Sequence, residues 1–166
     1  FGKDLFDHFT YIFAGDGCLM EGLSHEASSL AGHLGLSKLI VFFDDNSISI
    51  DGSTELSNSE NTMKRYESYG WDSISIDGHN HLEISQAIIE AKKNKKPTII
   101  ACKTKIGFGS PNKESKSSSH GSPLGEDEIK LTRKNLEWEY DSFEIPDDML
   151  SKWRSFAEKN RAIRQN

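Results

Sequence analysis

Residues 9–46 read FTYIFAGDGCLMEGLSHEASSLAGHLGLSKLIVFFDDN, and the fold is decided there. Phe9 to Ala14 is rich in β-branched and aromatic residues and stops at Gly15-Asp16-Gly17, the pattern of a buried strand running into a tight turn. From Glu21 to Leu34, Ala and Leu recur at helical spacing, and Gly35 stands where a helix stop belongs. Leu39 to Phe43 is a continuous apolar run, as a strand covered on both faces requires, and it ends in Asp44-Asp45-Asn46. A strand, a helix and a returning strand predict a right-handed βαβ unit.

The pattern continues outward. Asn61 to Tyr69 reads as a short helix and Trp71 to Ile76 as a strand. Ile84, Ala87, Ile88 and Ala91 share one helical face, and Pro97 to Cys102 is the next strand. The expected fold class is therefore α/β, an open parallel β-sheet with helices on both faces. Lys105 to Gly125 breaks the alternation with Gly107, Gly109, Pro111, Gly121, Pro123 and a serine run at 117–119. Loops of this length are functional or mobile, and this one is expected to be ordered mainly by ligands. Glu126 to Trp138 returns to a helix with an acidic first turn, and another helix is expected after Pro146 towards Arg164.

The chain has 166 residues, enough for one domain or one lobe of a larger protein. Nine Phe, four Tyr and three Trp argue for a folded core. A net charge of −6 argues against a general nucleic-acid binder or a basic membrane-surface protein. No apolar run approaches the ~20 residues that span a bilayer. Cys18 and Cys102 make neither a disulfide framework nor a zinc site. With no recognisable signal peptide, the cytoplasm is the expected compartment. The chain begins at Phe1 without an initiator Met, and it is expected to be a piece of a longer polypeptide.

In open parallel sheets, ligands bind beyond the carboxyl ends of the strands. Three polar clusters fall there: Gly15-Asp16-Gly17, Asp44-Asp45-Asn46, and the loop that carries His120. Gly15 and Gly17 are expected to turn the backbone sharply and let it approach a ligand, with free N–H groups before the Glu21 helix suited to phosphate oxygens. Asp16 and Asn46 offer the hard oxygens that magnesium or calcium prefers. Asp44 and Asp45 are near enough to compete. A bare Gly-Asp-Gly is also a good turn former, so the tripeptide alone leaves both readings open.

Gly15-Asp16-Gly17, 28 intervening residues and Asn46 together resemble the thiamine diphosphate binding motif. The wider text is similar to bacterial transketolases over nearly the whole chain. It comprises GDGCLMEGLSHEASSLAGHLGLSKLIVFFDDNSISIDG from Gly15, KRYESYGWD from Lys64, KPTIIACKTKIGFGSPN from Lys96 and SHGSPLGEDEI from Ser119. The resemblance implies a partial diphosphate-binding domain over residues 1–145 and a helix over 146–166 leading to the interdomain linker. The pyrimidine-binding and C-terminal domains would be absent, as would the domain's own upstream segment.

The resemblance also implies roles. Asp16, Asn46 and the main-chain carbonyl of Ile48 would ligate Mg2+ or Ca2+, with diphosphate oxygens completing the shell. Gly15 and Gly17 would contact the cofactor. His120 would stand near the diphosphate and the substrate, holding substrate oxygens or assisting proton transfer; otherwise it is an exposed loop histidine. Glu21 and Glu26 would link the two cofactor sites across a homodimer interface; otherwise they are an acidic helix start. Ala27, Leu30, Ala31 and Leu34 would form an apolar patch on that surface. His25 reads as packing, and His8, His33, His79 and His81 as structural or exposed. Cys18 is no nucleophile here, because the cofactor supplies one. The full enzyme would move a two-carbon ketol unit from a ketose phosphate to an aldose phosphate in the pentose phosphate pathway. This chain alone would be inactive. Dihydroxyacetone synthase, 1-deoxyxylulose-5-phosphate synthase and a non-catalytic diphosphate-binding lobe are the alternatives. No nucleic-acid or membrane partner is expected.

Overall fold

The computed structural model of the chain describes residues 7–164. Strand β1 (Thr10–Gly15) runs into a short helix α1 (Asp16–Met20), then α2 (Gly22–His33) and β2 (Leu39–Asp45). After α3 (Thr62–Ser68) come β3 (Asp72–Asp77), α4 (His81–Ala91) and β4 (Thr98–Lys103). Helices α5 (Glu126–Asn135) and α6 (Asp147–Arg164) follow the long loop. The sheet order is β1-β2-β4-β3 and every pairing is parallel. Gly15 lies opposite Asp44, and Asp45 opposite Lys103, so the strands end together along one edge.

Local chemistry sets the boundaries. Helix α2 stops because Gly35 takes φ +59. Leu36 N–H then reaches back to the Ala31 carbonyl and Gly35 N–H to that of Gly32, the Schellman pattern that satisfies the last carbonyls. Asn61 caps α3 by accepting Lys64 N–H, and Asn80 caps α4 by accepting Leu82 and Glu83 N–H.

The core has two layers, one on each face of the sheet. Val41, Phe43, Ile99 and Ala101 meet Leu19, Ala31, Tyr66 and Trp71 on one side. Ile40, Phe42, Ile76 and Ile100 meet Ala87 and Ala91 of α4 on the other, with Ile84 and Ile88 packed beside them. Central strands β2 and β4 are covered twice, as the unbroken apolar run of β2 predicts. Each large apolar side chain so buried contributes about 1.5–3 kcal/mol. Hydrophobic burial therefore fixes where the strands end.

Three expectations are corrected. Strand β1 is not buried along its length: Phe13 is 81% exposed, and Tyr11 and Ile12 are also open, because β1 is an edge strand of the sheet among the described residues. The Gly-Asp-Gly segment is not a glycine turn. Gly15 ends β1 in extended backbone (φ −90), while Asp16 and Gly17 already belong to α1. Helix α5 stops at Asn135 rather than Trp138, because Glu137 adopts φ +54 and turns the chain away. Among the described residues, no helix is long and apolar enough to cross a membrane.

Candidate functional site

The ends of β1, β2 and β4 open onto a cavity of about 980 Å³. Gly15, Asp16, Gly17, Asn46, Ile48 and His120 all line it. Residues up to 105 positions apart in sequence thus share one space, as the strand-end rule anticipates. A Cβ built on Gly15 or Gly17 meets nothing within 4 Å. The backbone at those positions needs no glycine; what glycine leaves there is room beside the cavity.

Asp16 is the centre of the site's electrostatics. Its carboxyl is held above the usual carboxylate range, first by burial and then by the charge of Asp45, with Asp44 adding to it. Backbone N–H groups of Asn46 and Ser47 pull the other way. Its Oδ2 is buried and has no hydrogen-bond partner among the described residues. A buried carboxylate oxygen with no donor is costly, and a cation is the group that would repay it.

Asn46 is oriented by a local turn. Its Oδ1 accepts Ile48 N–H at 2.9 Å, and its amide donates to Asp44 Oδ2 at 3.2 Å. Ser47, between them, takes φ 61. Ile48 pairs with Ser53 across a one-bridge hairpin, with Ser49 N–H bound to the Gly52 carbonyl at 2.7 Å. The expected competition from Asp44 and Asp45 is answered by their partners: Thr104 Oγ1 donates to Asp44, and Lys103 pairs with Asp45. Among the described residues, no three His, Cys, Asp or Glu side chains converge as metal ligands. A cation at Asp16 would therefore rely on neutral oxygens and on ligand oxygens, the habit of magnesium beside a phosphate.

His120 joins the cavity lining from the long loop. It follows a single 3-10 turn at Ser117–Ser119, and its N–H donates to the Ser117 carbonyl at 2.8 Å. Its ring is exposed and makes no hydrogen bond to another described residue. Glu21 is exposed at the rim, whereas Glu26, also exposed, does not line the cavity. On α2, Leu30 and Leu34 are 57% and 58% exposed, but Ala31 turns into the core. The expected apolar patch is thus carried by the leucines, joined by Leu23 at 77% exposure.

Three contributors were not apparent in the sequence. Thr104 to Gly107, at the exit of β4, form the cavity's floor next to His120. Arg65 on α3 donates to the Leu19 carbonyl at 2.9 Å and pairs with Glu60 at 3.0 Å, tying down the end of α1. It also contacts His25, whose Nδ1 lies 3.1 Å from the Tyr69 hydroxyl, so His25 is a bonded bridge rather than mere packing. His79 accepts Lys105 N–H at 3.1 Å and stacks on Phe108 at 4.0 Å.

The family described as "Transketolase, thiamine diphosphate binding domain" matches residues 1–166. The chain belongs to the transketolase family. It is 58% identical over 153 residues to "Transketolase 2" of Vibrio vulnificus (strain CMCP6), covering 92% of this chain and 23% of that protein. Among solved structures, transketolase from Leishmania mexicana superposes with a TM-score of 0.89 at 40% identity, over 96% of this chain and 24% of that one. Transketolase from Pichia stipitis, in complex with sedoheptulose 7-phosphate, gives 0.87 at 45% identity, over 95% and 24%. The chain thus spans about a quarter of the length of the transketolases it matches. The parallel sheet with helices on both faces is theirs as well.

Proposed function

We propose that this transketolase segment forms the cation and diphosphate half of a thiamine diphosphate site, within a longer polypeptide that transfers a two-carbon ketol unit between sugar phosphates. The observation that carries the reading is the buried, partnerless Oδ2 of Asp16, a residue that lines one cavity with Asn46, Ile48 and His120. Asp16 and Asn46 would hold Mg2+, or Ca2+, through side-chain oxygens and Ile48 through its carbonyl. When bound, thiamine diphosphate supplies the carbon nucleophile that such a transfer requires. Gly15 and Gly17 leave the space its diphosphate needs. His120 orients a substrate oxygen or carries a proton to it. Residues 1–145 act as part of the diphosphate-binding domain, and α6 leads out of it. The exposed leucines of α2, with Glu21 and Glu26, face a second copy in a homodimer.

The test uses the full-length polypeptide. Calorimetry should show magnesium-dependent binding of thiamine diphosphate, and a coupled assay should show ketol transfer from xylulose 5-phosphate to ribose 5-phosphate. The 166-residue chain alone should show no transfer, because positioning the cofactor needs both of its ends held. No magnesium-dependent binding by the full-length protein would overturn the reading.

A further inference from the structure

The segment from Thr104 to Gly125 brings Ile106, Gly107 and His120 to the cavity with no helix longer than one 3-10 turn and no strand. Sequence reasoning expects such a loop to wait for ligands. Instead it is fastened by two carboxylates: Glu114, within the loop, accepts Gly109 N–H at 3.0 Å and pairs with Lys105 at 2.9 Å, and Glu128 holds the loop from outside. Glu128, in the first turn of α5, is only 8% exposed. Its Oε1 accepts the Ser110 hydroxyl and, at 2.8 Å, Asn112 N–H; its Oε2 accepts the Asn112 side-chain amide at 2.9 Å. Ser110 is itself 2% exposed.

The bonds continue from there towards His120. Ser110 Oγ accepts Lys113 N–H at 3.1 Å, and the Lys113 carbonyl accepts the Ser119 hydroxyl at 2.6 Å. Lys113 Nζ donates to the Leu124 carbonyl at 2.9 Å, closing the loop's far end. A Cβ on Gly107 would lie 2.8 Å from Ser119 Oγ, so the cavity-lining stretch and the approach to His120 press together.

We propose that Glu128 is a positioning residue for the substrate-facing side of the site, its carboxylate fixing through Ser110, Lys113 and Ser119 where His120 stands. This rests on reading the cavity as the cofactor and substrate site. The ionised form is favoured twice, by three donors and by the helix N-terminus beside it. Glu128→Gln keeps the size but sets an NH2 against the Asn112 amide donor, and a buried donor is left without an acceptor.

The experiment uses the full-length polypeptide carrying Glu128→Gln, His120→Ala, or both. Without cofactor or substrate, amide exchange at Lys113, Ser115, Ser119 and His120 should be about tenfold faster in Glu128→Gln, with strands unchanged. Exchange equal to wild type overturns the proposal. Affinity for thiamine diphosphate with magnesium should stay within about threefold, while kcat/KM falls roughly tenfold. In the His120→Ala background the same substitution should change kcat/KM by less than about twofold, because no ring remains to misplace. Additive losses would reduce Glu128 to a stability residue and overturn the positioning role. If Glu128→Gln does not fold, Ser110→Ala removes one bond from the loop side, and the same cycle with His120→Ala decides. A wild-type protein that binds no thiamine diphosphate would defeat the functional reading, while the exchange measurement would still judge the clasp.

Discussion

The Asp16 wall of the cavity and the His120 wall are held by different forces. Asp16 and Asn46 stand at strand ends whose places are set by two buried apolar layers. His120 stands on a loop held by polar bonds, gathered on Glu128 and on Glu114. Hydrophobic burial is spread over many side chains and loses little when one polar bond is cut. Polar bonds gathered on a carboxylate are concentrated, and cutting them loosens the stretch they hold. The first wall is therefore expected to fail by losing its ligand or by global unfolding, and the second to fail locally.

The largest effect belongs to Asp16. Asp16→Ala should abolish magnesium-dependent thiamine diphosphate binding in the full-length protein, raising Kd at least about a hundredfold, with Asp16→Asn intermediate. Thermal stability should not fall, because the carboxylate is partly buried with one oxygen unpartnered. Calorimetry and a melting curve measure both; unchanged affinity would remove Asp16 from the proposed cation site.

Next is Gly32, in the helix layer below that wall. Alanine inside a helix normally gains about 1 kcal/mol over glycine. Here a Cβ would sit 1.9 Å from the Tyr69 carbonyl oxygen and 3.1 Å from the Trp71 ring, with backbone unable to yield. Gly32→Ala should therefore destabilise by about 3 kcal/mol or more. Gly17→Ala, inside α1 with nothing within 4 Å, should leave denaturant midpoints unchanged or slightly raised and weaken diphosphate binding instead. A reversed pair of results would mean the wall is not built on α2 packing.

His120→Ala tests the other wall. It should lower kcat and kcat/KM by roughly a hundredfold while leaving cation affinity near wild type. Steady-state kinetics and a magnesium titration separate the two; wild-type turnover would demote the histidine to an exposed loop residue.

The same division explains what the sequence discloses. The strands, most of the helices and the Gly35 stop follow short-range signals, and they were legible. So was the meeting of Asp16, Asn46 and His120, because strand ends converge by topology. Strand β1 was misread as buried because an apolar run does not say whether its strand is central or at the edge. Glu128 was invisible for another reason. It lies 16–18 residues from Asn112 and Ser110 and reads as one of three acids in a helix first turn. No spacing rule links it to those partners, and only the folded loop does.

The smallest expected effect is a shift with pH. Glu128 is held down to about 2 by the Ser110 hydroxyl first, then by the Asn112 side chain and its N–H. An ordinary glutamate titrates near 4.5. Because the folded value is the lower one, the clasp's contribution is complete above the ordinary value and is lost as pH falls from there towards 2. The Glu128→Gln variant carries no such titration. The difference in loop protection between wild type and variant should thus be constant from pH 7 to about 5 and should shrink below about 4.5. Its source should be visible directly: the Glu128 side-chain carboxyl carbon, followed by NMR, should still report the ionised form at about pH 3, below the 4.5 at which an ordinary glutamate titrates. A Glu128 that titrates like an ordinary glutamate would mean that the three donors do not hold its charge, and the contrast between the two walls would lose its basis.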